Sequence, residues 1–130
     1  MATTLGYCVI HVKDVSASLD FYERAFGLRR RMVDGALYAE METGHTLLAF
    51  SERRFAAKHS GPTMDLDREA PPPGLEIVLV TDDVATLHQQ ALQAGATHVR
   101  DPETKPWGQT ASYLRDPDGY LVQLCSPATS

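Results

Sequence analysis

Tyr7-Cys8-Val9-Ile10-His11-Val12-Lys13-Asp14, continuing through Val15, Leu19 and Tyr22 to Phe26-Gly27, is the stretch that decides the fold. Leu5 to Val12 is rich in β-branched and aromatic residues and is closed by Lys13-Asp14, which is the composition and boundary of a strand. Val15, Leu19, Tyr22 and Phe26 then recur at spacings of four, three and four, which places them on one face of a helix. Asp14 or Ser16 caps its start with a side-chain oxygen. Gly27 ends it, because glycine takes the left-handed conformation without a Cβ clash. Beyond it, Leu28–Val33, Ala36–Glu40 and Thr46–Ser51 read as strands parted by turns at Asp34-Gly35 and Thr43-Gly44. The order is strand, helix, three strands.

The second half repeats that order. Leu75–Val80 is a β-rich run followed by Thr81-Asp82-Asp83; Val84, Leu87, Ala91 and Ala94 return at helical spacing, and Gly95 follows as the cap. Thr97–Arg100, Gln109–Arg115 and Tyr120–Cys125 are three further strands, the last two joined by Asp116-Pro117-Asp118-Gly119, which suits a type I turn. Val12 and Val80, Gly27 and Gly95, Asp14 and Asp82, and Leu19 and Leu87 all lie 68 residues apart. A constant offset through strand, helix and cap argues for a duplicated βαβββ unit in an α+β chain. Module 1 covers about 5–51 and module 2 about 75–126 of a single domain over 1–130. Between them, 52–74 is a connector: Arg53–His59 has the look of a short helix, and the rest, through Pro71-Pro72-Pro73-Gly74, favours an extended path.

Composition excludes other classes. The chain has 130 residues, a net charge of −5, 43% hydrophobic and 22% charged residues, as ordinary globular domains do. No apolar run approaches a membrane span, and Met1–Tyr7 lacks the basic-then-apolar pattern of a secretory signal, so a cytoplasmic location is expected. Two cysteines, Cys8 and Cys125, make no disulfide framework. The acidic balance argues against nucleic acid, and Arg29-Arg30-Arg31 reads as a solvated strand edge.

The segments Tyr7–Asp14, Ser18–Gly27, Lys105-Pro106-Trp107-Gly108-Gln109 and Arg115-Asp116-Pro117-Asp118-Gly119-Tyr120 resemble the vicinal-oxygen-chelate superfamily of glyoxalase, bleomycin-resistance and extradiol dioxygenase proteins. The resemblance implies that the two modules form a curled mixed sheet around a cleft, with helices outside, and that two chains pair as a homodimer. It also implies a metal held by one residue from the first and last strand of each module. Here those positions fall on Tyr7, Leu75, Gln123 and Leu48 or Ala49, none of them His or Glu. Divalent ions in such sites need imidazole or carboxylate, so the usual metal is expected to be absent and no other cofactor is implied.

Strand alternation gives the rest of the candidate site. Tyr7, Val9 and His11 share the face turned from the helix. Glu76, of opposite parity to Leu75, is expected to point away from that face. His45 adjoins a turn, and Glu42 and His45 straddle it. His59, His88 and His98 read as solvated, and Cys125 as an apolar filler. Tyr7, His11, Trp107, Tyr113 and Gln123 are therefore the expected ligand-binding residues. The reading is a small-molecule-binding protein that binds or sequesters an aromatic or apolar ligand, with no membrane partner. The alternative is a metal-dependent lyase, isomerase or dioxygenase whose metal has moved to His11 or His45.

Overall fold

The computed structural model of the protein describes residues 2–128. Its elements are β1 (Tyr7–Val12), α1 (Val15–Phe26), β2 (Arg29–Asp34), β3 (Tyr38–Glu42), β4 (Leu47–Glu52), α2 (Arg53–Ser60), β5 (Glu76–Val80), α3 (Val84–Gln93), β6 (Thr97–Thr104), β7 (Thr110–Arg115) and β8 (Leu121–Cys125). They build two βαβββ modules, each with its own four-stranded sheet, ordered β1-β4-β3-β2 and β5-β8-β7-β6. In both sheets the first strand runs parallel to the last and the other pairs are antiparallel, so both are mixed. The chain forms two compact units; the second takes Arg24–Phe26 and everything from Asp65.

In the first unit, Asp14 caps α1 by accepting from the Ala17 N–H at 3.1 Å, and Gly27 closes it at φ 69°. Ile10, Val12, Val15, Leu19 and Tyr22 are buried, and Tyr22 meets Phe50 of β4 with ring centroids 5.2 Å apart. The helix thus covers one face of its sheet. The short helix expected after β4 is present as α2, lying against β1 and β4. Its N-cap is Glu52, whose carboxyl is held below the usual range by backbone N–H groups of Arg54 and Phe55. β2 is an exposed edge strand, as its three arginines suggested.

In the second unit, the cap of α3 is Asp83 and not Asp82: its Oδ1 accepts from the Thr86 N–H at 3.1 Å. The pairs Asp14–Asp83 and Val15–Val84 are 69 apart, so through the first strand and helix start the repeat offset is 69, not 68. The one-residue change has two consequences. The first-strand counterpart of Tyr7 becomes Glu76, the first residue of β5. The counterpart of the buried Leu19 becomes His88, which is 0% exposed rather than solvated.

β6 is longer than expected, because it continues through two register shifts, one between His98 and Arg100 and one between Arg100 and Glu103. Two residues then face one on β7, which bends and twists the strand. The connector is fastened rather than loose at Asp67–Ala70. Arg115, buried at the end of β7, donates to the main-chain carbonyls of Asp67 (3.0 Å), Arg68 (2.8 Å), Ala70 and Gly119 (2.9 Å). The following turn is organised by Asp116, whose Oδ1 accepts from the N–H groups of Asp118, Gly119 and Tyr120.

Candidate functional site

One face of each sheet is left uncovered by its helix, and the polar candidates collect there. In the second unit the register places Val78 opposite Gln123 and Gln123 opposite Tyr113. Strand alternation then aligns Glu76, Val78 and Val80 of β5 with Gln123 of β8 and Tyr113 of β7. Glu76 therefore points onto this face, contrary to the sequence expectation, because the repeat offset through the first strand is 69 and not 68. Gln123 Nε2 donates to Glu76 Oε1 at 2.9 Å and to the Tyr113 hydroxyl at 3.1 Å. Because the amide gives its N–H groups to both neighbours, its own carbonyl oxygen stays available as an acceptor, and the phenol keeps its proton to donate. Lys105 Nζ stands 5.9 Å from the Tyr113 ring centroid, within cation–π range. Val78 and Val80 add exposed apolar area beside this chain, Val80 at 63% exposure. Cys125 on the same face is buried, which pushes its thiol up, away from nucleophilic character.

In the first unit the sheet face turned from α1 holds Tyr7, Val9 and His11 of β1, paired in register with Leu47, Ala49 and Ser51 of β4, of which Ala49 and Ser51 are buried. His11 Nδ1 is hydrogen-bonded to Thr63 Oγ1 at 2.9 Å, so the connector reaches this strand. The same face carries Glu40, which sequence reading missed. Its carboxylate is buried, accepts from Tyr38 Oη at 2.7 Å and pairs with Arg31. Burial, then the bond to Glu40, pushes the Tyr38 phenol up to about 12, so it donates and does not ionise at neutral pH. The signal for Glu40 was its parity in β3, where Ala39 and Met41 are wholly buried against the helix side. Arg31 thus serves an internal carboxylate, while Arg30 bonds Glu23 at 2.8 Å and lowers that carboxyl's pKa.

The predicted set is therefore divided. Tyr113 and Gln123 are brought into contact, with Glu76 and Lys105 added; Tyr7 and His11 share the face of the other sheet. Trp107 stands in the β6–β7 turn, 63% exposed, donating from Nε1 to Gln109 Oε1 at 2.9 Å, and is not packed as a core anchor. His45 and His59 are exposed, as expected.

The strand register also fixes the four positions at which the resemblance expects metal ligands: Tyr7, Ala49, Glu76 and Gln123. Alanine has no donor atom, and the Gln123 amide nitrogen is turned toward Glu76. Taken unit by unit, the first offers a phenol and a methyl and the second a carboxylate hydrogen-bonded to an amide, so neither supplies two imidazole or carboxylate donors.

Comparison with known proteins agrees with the architecture. Virulence protein STM3117 of Salmonella typhimurium is 26% identical over 132 residues, covering 92% of this chain and 81% of its own. Protein YwbC of Bacillus subtilis is 26% identical over 133 residues, covering 95% and 98%. The crystal structure of a glyoxalase-related enzyme from Fulvimarina pelagi superposes with a TM-score of 0.83 at 19% identity over 97% of this chain and 89% of that one, a likeness of fold. The sequence model of the Glyoxalase/Bleomycin resistance protein/Dioxygenase superfamily matches residues 4–124, which spans both βαβββ modules and the connector. With the paired modules, their shared strand order and this match over nearly the whole chain, the protein belongs to the glyoxalase/bleomycin resistance protein/dioxygenase superfamily.

Proposed function

We propose that the protein binds a small ligand with an aromatic or apolar body and one or two polar groups, and that it does so without the metal usual in its superfamily. The observation that carries this is the Glu76–Gln123–Tyr113 chain on an open sheet face beside exposed Val78 and Val80. Binding sites combine apolar area with a few fixed polar groups. Here the amide carbonyl and the phenol proton offer one acceptor and one donor, and Lys105 favours an anionic or electron-rich substituent. The ligand-position donors support the metal-free reading, because Ala49 offers nothing and Gln123 is engaged with Glu76. A homodimer is part of the proposal through the superfamily resemblance, and a cytoplasmic location accords with two free cysteines. No helix among the described residues is long and apolar enough to cross a membrane.

The experiment is a thermal-shift screen of the full chain against planar aromatic compounds and glutathione adducts, followed by calorimetric titration of the best binder. Tyr113→Phe and Gln123→Ala are expected to weaken binding about tenfold, as loss of one or two hydrogen bonds implies. Unchanged affinity in both variants overturns this face as the site. A divalent ion that is retained by the wild type and lost on Glu76→Gln supports the metal-dependent enzyme instead.

A further inference from the structure

The geometry points to a divalent transition-metal site on the helix side of the second unit, formed by His88, His98 and Asp101. Each of these residues offers one ligand atom, and the three atoms lie within 4.8 Å of one another. They come from two elements, α3 and β6, and lie apart from the superfamily's ligand positions and from the open face of the sheet. His88 is completely buried, and its Nδ1 is bonded to the buried Ser112 hydroxyl at 2.8 Å. Its Nε2 is the one buried side-chain nitrogen or oxygen among the described residues without a hydrogen-bond partner. With Nδ1 taken, Nε2 is the donor that remains for an ion. The His98 ring stands edge-on to His88 at 5.4 Å between centroids, and His98 Nε2 bonds Asp101 Oδ1 at 2.8 Å.

The backbone builds this arrangement. Residues three apart in a regular strand point to opposite faces. The register shift between His98 and Arg100 inserts one extra residue, so that His98 and Asp101 meet on one side. His98 pairs with Leu114, a wholly buried residue of β7, which puts His98 on the α3 side. The first module offers a comparison: the counterparts of His88 and Ser112 are the buried apolar Leu19 and Ala39. A shared packing position thus carries an imidazole and a hydroxyl in one module only.

Two imidazoles and a carboxylate suit zinc or a similar borderline ion, with water completing the shell. Tetrahedral coordination needs donors about 3.3 Å apart, given metal–nitrogen bonds of about 2.0–2.1 Å. The closure is available, because the side chains of His98 and Asp101 are 45% and 86% exposed and free to swing toward the fixed His88. The ion takes the place of the proton between His98 Nε2 and Asp101, and that proton leaves to solvent or moves to His98 Nδ1. Ser112 holds the His88 tautomer with the proton on Nδ1, the outer-shell role that hydrogen bonds to ligating histidines have elsewhere.

The test uses the full-length chain without a histidine tag, stripped by chelator and titrated with zinc by calorimetry. One ion per chain is expected. His98→Ala and Asp101→Ala, both at exposed positions, should each weaken binding at least about tenfold while circular dichroism stays unchanged. Cobalt should give the visible absorption of a tetrahedral ion, lost in the same variants. His59→Ala and Glu76→Gln should leave zinc affinity as in wild type, which separates this site from other histidines and from the open face. Failure of the wild type to bind one ion, or binding that survives His98→Ala, overturns the proposal.

Discussion

A methyl group at Gly119 fits only if the Arg115 guanidinium moves. The glycine has a φ of 105°, and a Cβ there would stand 2.9 Å from Arg115 Nη2 and 3.5 Å from the Arg68 main chain. Gly35 also has a positive φ, 54°, but a Cβ there would meet nothing within 4 Å. Gly119→Ala should therefore cost more than Gly35→Ala, which carries the backbone term alone, about 1–2 kcal/mol. Urea unfolding of both variants checks this, and equal losses would show that Arg115 moves aside without penalty. The Asp-Pro-Asp-Gly spacing announced the turn in the sequence. It did not announce the arginine, because a strand-end Arg has no sequence mark that distinguishes a solvated side chain from one whose acceptors come from a connector about 47 residues earlier.

The helices show both what local sequence carries and where it stops. Asp, Val and an apolar stripe located α1 and α3, since capping and amphipathicity are local properties. The choice between Asp82 and Asp83 was not local: either carboxylate can cap, and only packing selects the second. That single residue governed the parity of β5, and hence where Glu76 points, and it governed whether His88 matches Leu19 or its exposed neighbour. The bulges of β6 were equally hidden, because they are properties of a pair of strands. Asp83 yields a prediction of its own. The backbone N–H of Thr86, then the Thr86 hydroxyl, hold its carboxyl below the ordinary aspartate value. A depressed folded pKa gives stability that is complete above the unfolded value and is lost as pH falls through the folded one. Asp83→Asn keeps a capping oxygen but not the charge. Its destabilisation relative to wild type should be present at neutral pH and shrink below about pH 4. Denaturation midpoints across that range read it, and a gap that stays constant would place the effect outside the charge.

The duplication makes each half a control for the other. Where the first module buries Leu19 and Ala39, the second buries His88 and Ser112. Leaving a buried polar atom unpaired costs about 1–3 kcal/mol, so restoring the first module's residues should stabilise the metal-free protein. His88→Leu combined with Ser112→Ala is expected to raise the unfolding temperature in the presence of chelator, and to abolish any further rise on adding zinc. A lower unfolding temperature in chelator would mean that the imidazole contributes packing that leucine does not replace. The fold as a whole was legible because two copies of one pattern reinforce each other. The open-face chain was half legible: Tyr113 and Gln123 followed from alternation, while Glu76 needed the true register of β5 and Lys105 its approach to a ring. The fastening of the connector has an evolutionary side as well. Arg115 grips residues 67, 68 and 70 by carbonyl oxygens, which every amino acid possesses. That stretch can drift in sequence while its anchorage endures, so descendants of this chain are free to rewrite the connector as long as they keep one guanidinium and the glycine beside it.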